Sequence, residues 1–154
     1  MKRINKIYHH PLYQEIMDKI SQLEKDRIYC LHGVEHAMDV ARIAYIINLE
    51  ENASLDKEII YATALLHDLG RGINYEKHAQ QSVLLAQKIL PDCDFCNDEI
   101  EQIIGAINIH GEDKSIGLSG IIQRADKLSR LCYNCESIDT CKWKKEELNL
   151  EIIY

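Results

Sequence analysis

Residues 56–71 read DKEIIYATALLHDLGR, an apolar run that carries a histidine and an aspartate side by side at its end. Ile60, Ala64 and His67 recur at helical spacing, and Asp68 follows Leu65 and Ala64 at three and four residues, so both polar side chains continue the inward face of a helix. Asp56 or Ser54 supplies the cap at its start and Gly70 the stop. With seven histidines in 154 residues, the dipeptide alone proves little. Its weight comes from the other polar residues that sit on apolar stripes. In EHAMDVARIAYII, His36 shares a helical face with Val40, Ile43, Ala44 and Ile47, and in GLSGIIQRADKLSRL, Asp126 lies four and eight residues after Ile122 and Leu118. Burying a lone carboxylate costs several kcal/mol, on the order of 2–7 for even a neutral polar group, so a partner or a metal is expected there.

The same 3.6-residue period runs through most of the chain, with no convincing alternating strand, and predicts an all-α fold: a compact single-domain bundle of about six to seven helices spanning residues 1–154. The expected helices are Pro11 to about Lys25, His36 to about Asn48, Asp56 to Gly70, Tyr75 to Leu90 behind an Asn74 cap, Asn97 to His110, and Gly117 to Cys132, with a short last one after Trp143. At 46% hydrophobic residues the chain can bury a core. A net charge of −7 argues against general nucleic-acid or anionic-membrane binding while leaving room for a small phosphate held by a few cations. No apolar run reaches the length of a membrane span, and MKRINKIYHH is not followed by a signal-peptide core, so a cytoplasmic protein is expected. Homo-oligomerisation is left open.

Two more histidines face the core: His78 on a stripe with Ser82, Leu85 and Ile89, and His110 after Ile103, Ala106 and Ile107. Together these segments resemble the HD-domain superfamily of metal-dependent phosphohydrolases, whose pattern is a His on one helix, a His-Asp pair on the next and an Asp on a later one. Here those positions are His36 in HAMDVARIA, His67 and Asp68 in LLHDLGR, and Asp126 in RADKLSR. His32, in HGVEH, fits a variant of the first motif, but the spacing to Val40 and Ala41 gives the ligand role to His36. His78 and His110 occupy the place of the two extra histidines of binuclear members, among them bacterial diadenosine tetraphosphate hydrolases and cyclic-dinucleotide phosphodiesterases. The resemblance therefore implies six metal ligands, His36, His67, Asp68, His78, His110 and Asp126, with Asp68 bridging.

Neutral imidazoles and carboxylates suit Fe, Mn, Co, Ni or Zn, so one or two divalent transition-metal ions are expected as cofactor. Such ions turn water into a hydroxide near neutral pH and clamp phosphoryl oxygens. Catalysis is then expected to centre on His67, Asp68 and Arg71, with Arg71, Lys127 and Arg130 holding the phosphate of a small ester or anhydride, nucleotides foremost. Gly70 and Gly72 hold Arg71 near the His-Asp pair, whereas Glu112, Asp113 and Tyr75 read as surface residues. The absence of a GYP-type extension after the His-Asp helix counts against cyclic dinucleotides. Two other classes fit the same ligands: a di-iron oxygenase of the superfamily, and a non-catalytic nucleotide-sensing module.

Six cysteines in a chain without a secretory signal are not presumptively disulfides. Cys93-x-x-Cys96 and Cys132-x-x-Cys135, with Cys141 nearby, have the spacing of thiolate ligands, and both stretches read as turns; a structural metal or a redox role is open to them. Cys30 reads as an ordinary buried thiol.

Overall fold

The structure is a computed structural model that describes residues 1–108 and 117–154. Among the described residues there are seven α-helices and no strand. They are α1 (Lys2–His9), α2 (Pro11–Glu24), α3 (Val34–Glu50), α4 (Lys57–Leu66), α5 (His78–Ile89), α6 (Asn97–Asn108) and α7 (Gly117–Leu128). The expected all-α bundle is what forms.

Helix α4 is the hub, because every residue from Ile59 to Leu66 is buried. Its N-terminus is fixed by Asp56, whose Oδ1 accepts from the Glu58 and Ile59 amides at 2.8 and 3.1 Å, satisfying two donors that helix geometry orphans. Helices α3, α6 and α1 pack around it, and α7 lies along α3. Ile60, Leu66, Ile103, Ile107 and Ile122 are essentially inaccessible to water, so the core is built from α4, α6 and α7 faces at helical spacing.

Several boundaries differ from the sequence expectation, and each has a local cause. Helix α4 ends at Leu66, not Gly70: His67 is its last αR residue, Asp68 takes φ −107° and ψ 1°, and a 3₁₀ turn follows over Leu69–Gly72. Helix α5 begins at His78, since Asn74 Oδ1 accepts from the Lys77 amide (3.0 Å) and so closes a separate turn ahead of it. Helix α7 stops at Leu128, where Ser129 Oγ donates back to the Asp126 carbonyl at 2.8 Å. The tail after it contains only 3₁₀ turns, one of them Lys145–Glu147 in place of the expected short helix. Helix α1 was not anticipated. Its inward face is only Ile4 and Ile7, too short a stripe to stand out, and it is held instead by Arg3, which bonds Glu58 (2.6 Å) and Glu99 (2.8 Å) and lies over the Phe95 ring.

Candidate metal centre

The end of α4 delivers His67 and Asp68 into the interior. His67 is wholly buried, and its Nδ1 donates to the Ala64 carbonyl at 2.7 Å, which leaves the lone pair on Nε2. Asp68 sits in the bridge region of backbone space, where the chain leaves the helix, and is 6% exposed. His36 reaches it from the first turn of α3. These three residues bring ligand atoms within 4.8 Å of one another and could hold a metal ion.

The two oxygens of Asp68 face different neighbours. Oδ2 is 3.7 Å from His67 Nε2, 3.9 Å from His36 Nε2 and 2.8 Å from Arg71 Nε. Oδ1 is 3.4 Å from Nε2 of His78, whose Nδ1 donates to the Tyr75 carbonyl at 2.9 Å. Asp126, on α7, completes the first side with Oδ1 at 3.4 Å from His36 Nε2. Hydrogen bonding from the far ring nitrogen fixes tautomer and orientation in metal-binding histidines, and His67 and His78 both have that arrangement. Burial alone would push the Asp68 carboxyl up, but His67, Arg71 and His32 outweigh it and hold the group ionised, well below the usual carboxylate range. The buried Asp68 Oδ1 and His36 Nε2 have no hydrogen-bond partner among the described residues, which is the state expected of atoms whose natural partner is a cation.

Glycine 70 makes the His78 approach possible. A Cβ there would run into the His78 carbonyl oxygen and come to 2.6 Å from the Ser82 amide nitrogen, while its own amide donates to Ser82 Oγ at 2.8 Å. The 3₁₀ turn and the start of α5 are thus in backbone contact.

Beside these residues opens a cavity of about 350 Å³, lined by Arg71, Lys127 and Arg130 together with Tyr75, Gln123 and Trp143. Arg71 lies 4.9 Å from the Tyr75 ring centre and Arg130 3.9 Å from that of Trp143, so flat rings hold both guanidiniums in place. The three cations read from the sequence therefore converge. His110, with Glu112 and Asp113, lies outside the described residues.

Besides Trp143, sequence reasoning missed four participants. Tyr75, read as a surface residue, forms cavity wall as well as being half exposed. Arg27 lines the same cavity and places its Nη1 3.4 Å from the Tyr75 hydroxyl. His32, set aside in favour of His36, is also present: its Nε2 is 3.8 Å from Asp68 Oδ2. It is oriented by Glu24 of α2, which accepts from the His32 amide (2.7 Å) and contacts Nδ1 at 2.5 Å. The signal for His32 was in the HGVEH spacing; Glu24, eight residues upstream on another helix, gave none.

The HD-domain pattern matches residues 33–131, taking in His36, the His67-Asp68 pair and Asp126 in that order. The chain belongs to the HD-domain family. An uncharacterized protein of Clostridium beijerinckii is 43% identical to it over 157 residues, across the full length of both. Ribonuclease Y of Mycoplasma mycoides is 31% identical over 117 residues, which cover 75% of this chain and 26% of that protein. This HD domain thus corresponds to about a quarter of such a ribonuclease. The crystal structure of a predicted HD superfamily hydrolase from an uncultured Thermotogales bacterium superposes with a TM-score of 0.62 at 23% identity, over 88% of this chain and 80% of its own, and shows the shared fold.

Proposed function

We propose that this HD domain is a metal-dependent phosphohydrolase acting on a small phosphate ester or anhydride, a nucleotide being the best-fitting class. The observation that carries the reading is the position of Asp68, with one oxygen toward His36 and His67 and the other toward His78, where His36 and His78 together with Arg71, Lys127 and Arg130 line one cavity. On this reading His36, His67, Asp68 and Asp126 would hold one divalent ion. His78 and His110, the latter outside the described residues, would hold a second, with Asp68 a ligand common to both. When bound, such ions lower the pKa of water toward ~7 and polarise phosphoryl oxygens.

The chain's own residues do the rest. The carbonyls of Ala64 and Tyr75 keep the lone pairs of His67 and His78 aimed inward. Arg71, Lys127 and Arg130 neutralise and position the phosphate, which is most of what phosphoryl transfer asks of a protein. The rings of Tyr75 and Trp143 brace the guanidiniums of Arg71 and Arg130, and also offer flat faces beside the phosphate position. A cavity of about 350 Å³ accepts a small molecule. The net charge of −7 weighs against extending the ribonuclease activity named for longer relatives to a polyanionic substrate here.

The experiment is metal analysis of the purified protein coupled to phosphate release from a nucleotide panel with Mn, Fe, Co and Ni. Asp68→Ala is expected to abolish release while keeping the helical far-ultraviolet signal. Unchanged turnover in that variant would overturn the mechanism. Stoichiometric nucleotide binding without release would favour a sensing module, and oxygen consumption by iron-loaded protein would favour the oxygenase reading.

A further inference from the structure

The two Cys-x-x-Cys pairs do not meet. Cys93 and Cys96 lie in the turn between α5 and α6, where burial and the neighbouring Asp92 push the Cys93 thiol up to about 11. Cys132, Cys135 and Cys141 instead line a second, largely apolar cavity of about 400 Å³, and the fourth cysteine on its wall is Cys30, from the loop between α2 and α3. Cys30 is therefore not an ordinary core thiol. It is partly exposed and forms part of both this cavity and the one beside Asp68.

We propose that Cys30, Cys132, Cys135 and Cys141 form a structural site for a thiophilic metal centre, bound through four thiolates and separate from the Asp68 centre. Three observations carry this. The spacing Cys-x₂-Cys-x₅-Cys supplies three ligands from one irregular stretch, with the Cys135 amide donating back to the Cys132 carbonyl (3.3 Å) in a tight turn, as chelating pairs require. The fourth ligand comes from a distant loop, so binding closes a long chain segment. Finally, residues 129–154 contain no α-helix and leave Leu131, Trp143, Leu150, Ile152 and Ile153 largely exposed, too little burial to fix a segment unaided. Yet this segment supplies Trp143 and Glu147 to the wall of the Asp68 cavity, and Asn149 Nδ2 donates to the Lys127 and Arg130 carbonyls. A metal staple explains how a weakly packed tail holds these cavity-wall residues in place.

On binding, each thiol would lose its proton to solvent, and Arg130, on the wall of the same cavity, would offset the negative charge of a tetrathiolate centre. Among the described residues the only ligand trio already within 4.8 Å is that of His36, His67 and Asp68, so the four thiols must rotate inward about their side-chain bonds as the ion binds.

The test uses Asp68→Ala protein, which isolates the thiol site, analysed for zinc, iron and acid-labile sulfide, with X-ray absorption at the metal edge. The expected result is roughly one metal centre per chain with a sulfur shell, about 2.3 Å for zinc. Zinc without sulfide, or iron with sulfide, then identifies the occupant. Cys135→Ser combined with Cys141→Ser should lose that metal while the Asp68 centre of the otherwise intact chain keeps its own. In metal-loaded protein four of the six thiols should react slowly with a thiol reagent until a chelator is added. If those variants do not fold, the absorption shell and the thiol titration still decide. Metal-free Asp68→Ala protein, a shell of only nitrogen and oxygen, or a disulfide among these four residues would overturn the proposal.

Discussion

Glu24 and His32 show how one residue pair can set the roof of the site. Burial raises the Glu24 carboxyl, but the two contacts from His32 prevail and hold it below its ordinary value. A carboxylate with a depressed folded-state pKa contributes stability that is fully present above the unfolded value, about 4.3, and is lost as pH falls through the lowered one. Glu24→Gln is thus expected to cost about 1.5–3 kcal/mol near neutral pH, the range for a charge-assisted hydrogen bond. That cost should shrink as both proteins are taken to acid. Urea unfolding of the two at pH 7 and near pH 3 measures the difference; a gap independent of pH would remove Glu24's charge from the explanation. Because His32 stands 3.8 Å from Asp68, the same substitution should also weaken metal binding without deleting a proposed ligand.

At the scale of elements, the decisive join is the 3₁₀ turn Leu69–Gly72 against the start of α5. Gly70→Ala forces the His78 carbonyl and the Ser82 amide away, since backbone cannot yield as a flexible side chain does. The expectation is a loss of stability of about 1–3 kcal/mol from overpacking, and a larger fall in metal occupancy at the His78 side than in helix content. Metal stoichiometry set beside far-ultraviolet circular dichroism checks this; equal losses would mean simple unfolding. A second join is Arg3 of α1, shared between Glu58 of α4 and Glu99 of α6. Its removal to Ala should cost about 1–2 kcal/mol, more than a lone surface pair, because two carboxylates and the Phe95 face lose their partner together. Chemical denaturation reads that number, and a change under 0.3 or so would place Arg3 among ordinary surface charges. These joins also mark where the sequence stopped being informative. Helices α2, α3 and α4 were legible because caps and apolar stripes coincide, as at Pro11 and Asp56. Helix α1 was not, because its position is decided by partners remote in the chain, Glu58 and Glu99, and the start of α5 was not, because Asn74 closes a turn of its own ahead of His78.

Across the whole molecule, the site is a meeting of α3, α4, α5 and α7, and the polar residues on their apolar stripes foretold which side chains would meet. His36, His67, Asp68, His78 and Asp126 were readable because each breaks an otherwise buried pattern; the flanking Glu24, Arg27 and Trp143 obey the ordinary surface pattern and were visible only in three dimensions. Four helices converging on an ionised, nearly inaccessible Asp68 make the fold's stability depend on what neutralises that charge. In the absence of an ion, Arg71, with its Nε 2.8 Å from Asp68 Oδ2, is the permanently charged partner beside it. An ion that binds only the folded chain stabilises it by RT ln(1 + [L]/Kd), about 2.7 kcal/mol at a hundredfold excess over Kd. Stripping the protein with a chelator should therefore lower Tm by several degrees, and adding back Mn or Fe should restore it in proportion to the logarithm of the free ion concentration. Asp68→Ala should abolish the part of this response that belongs to the Asp68 centre, since the substitution removes the shared ligand. Differential scanning calorimetry across a metal titration reads both slopes, and an identical slope in Asp68→Ala would mean that the stabilising ion binds elsewhere.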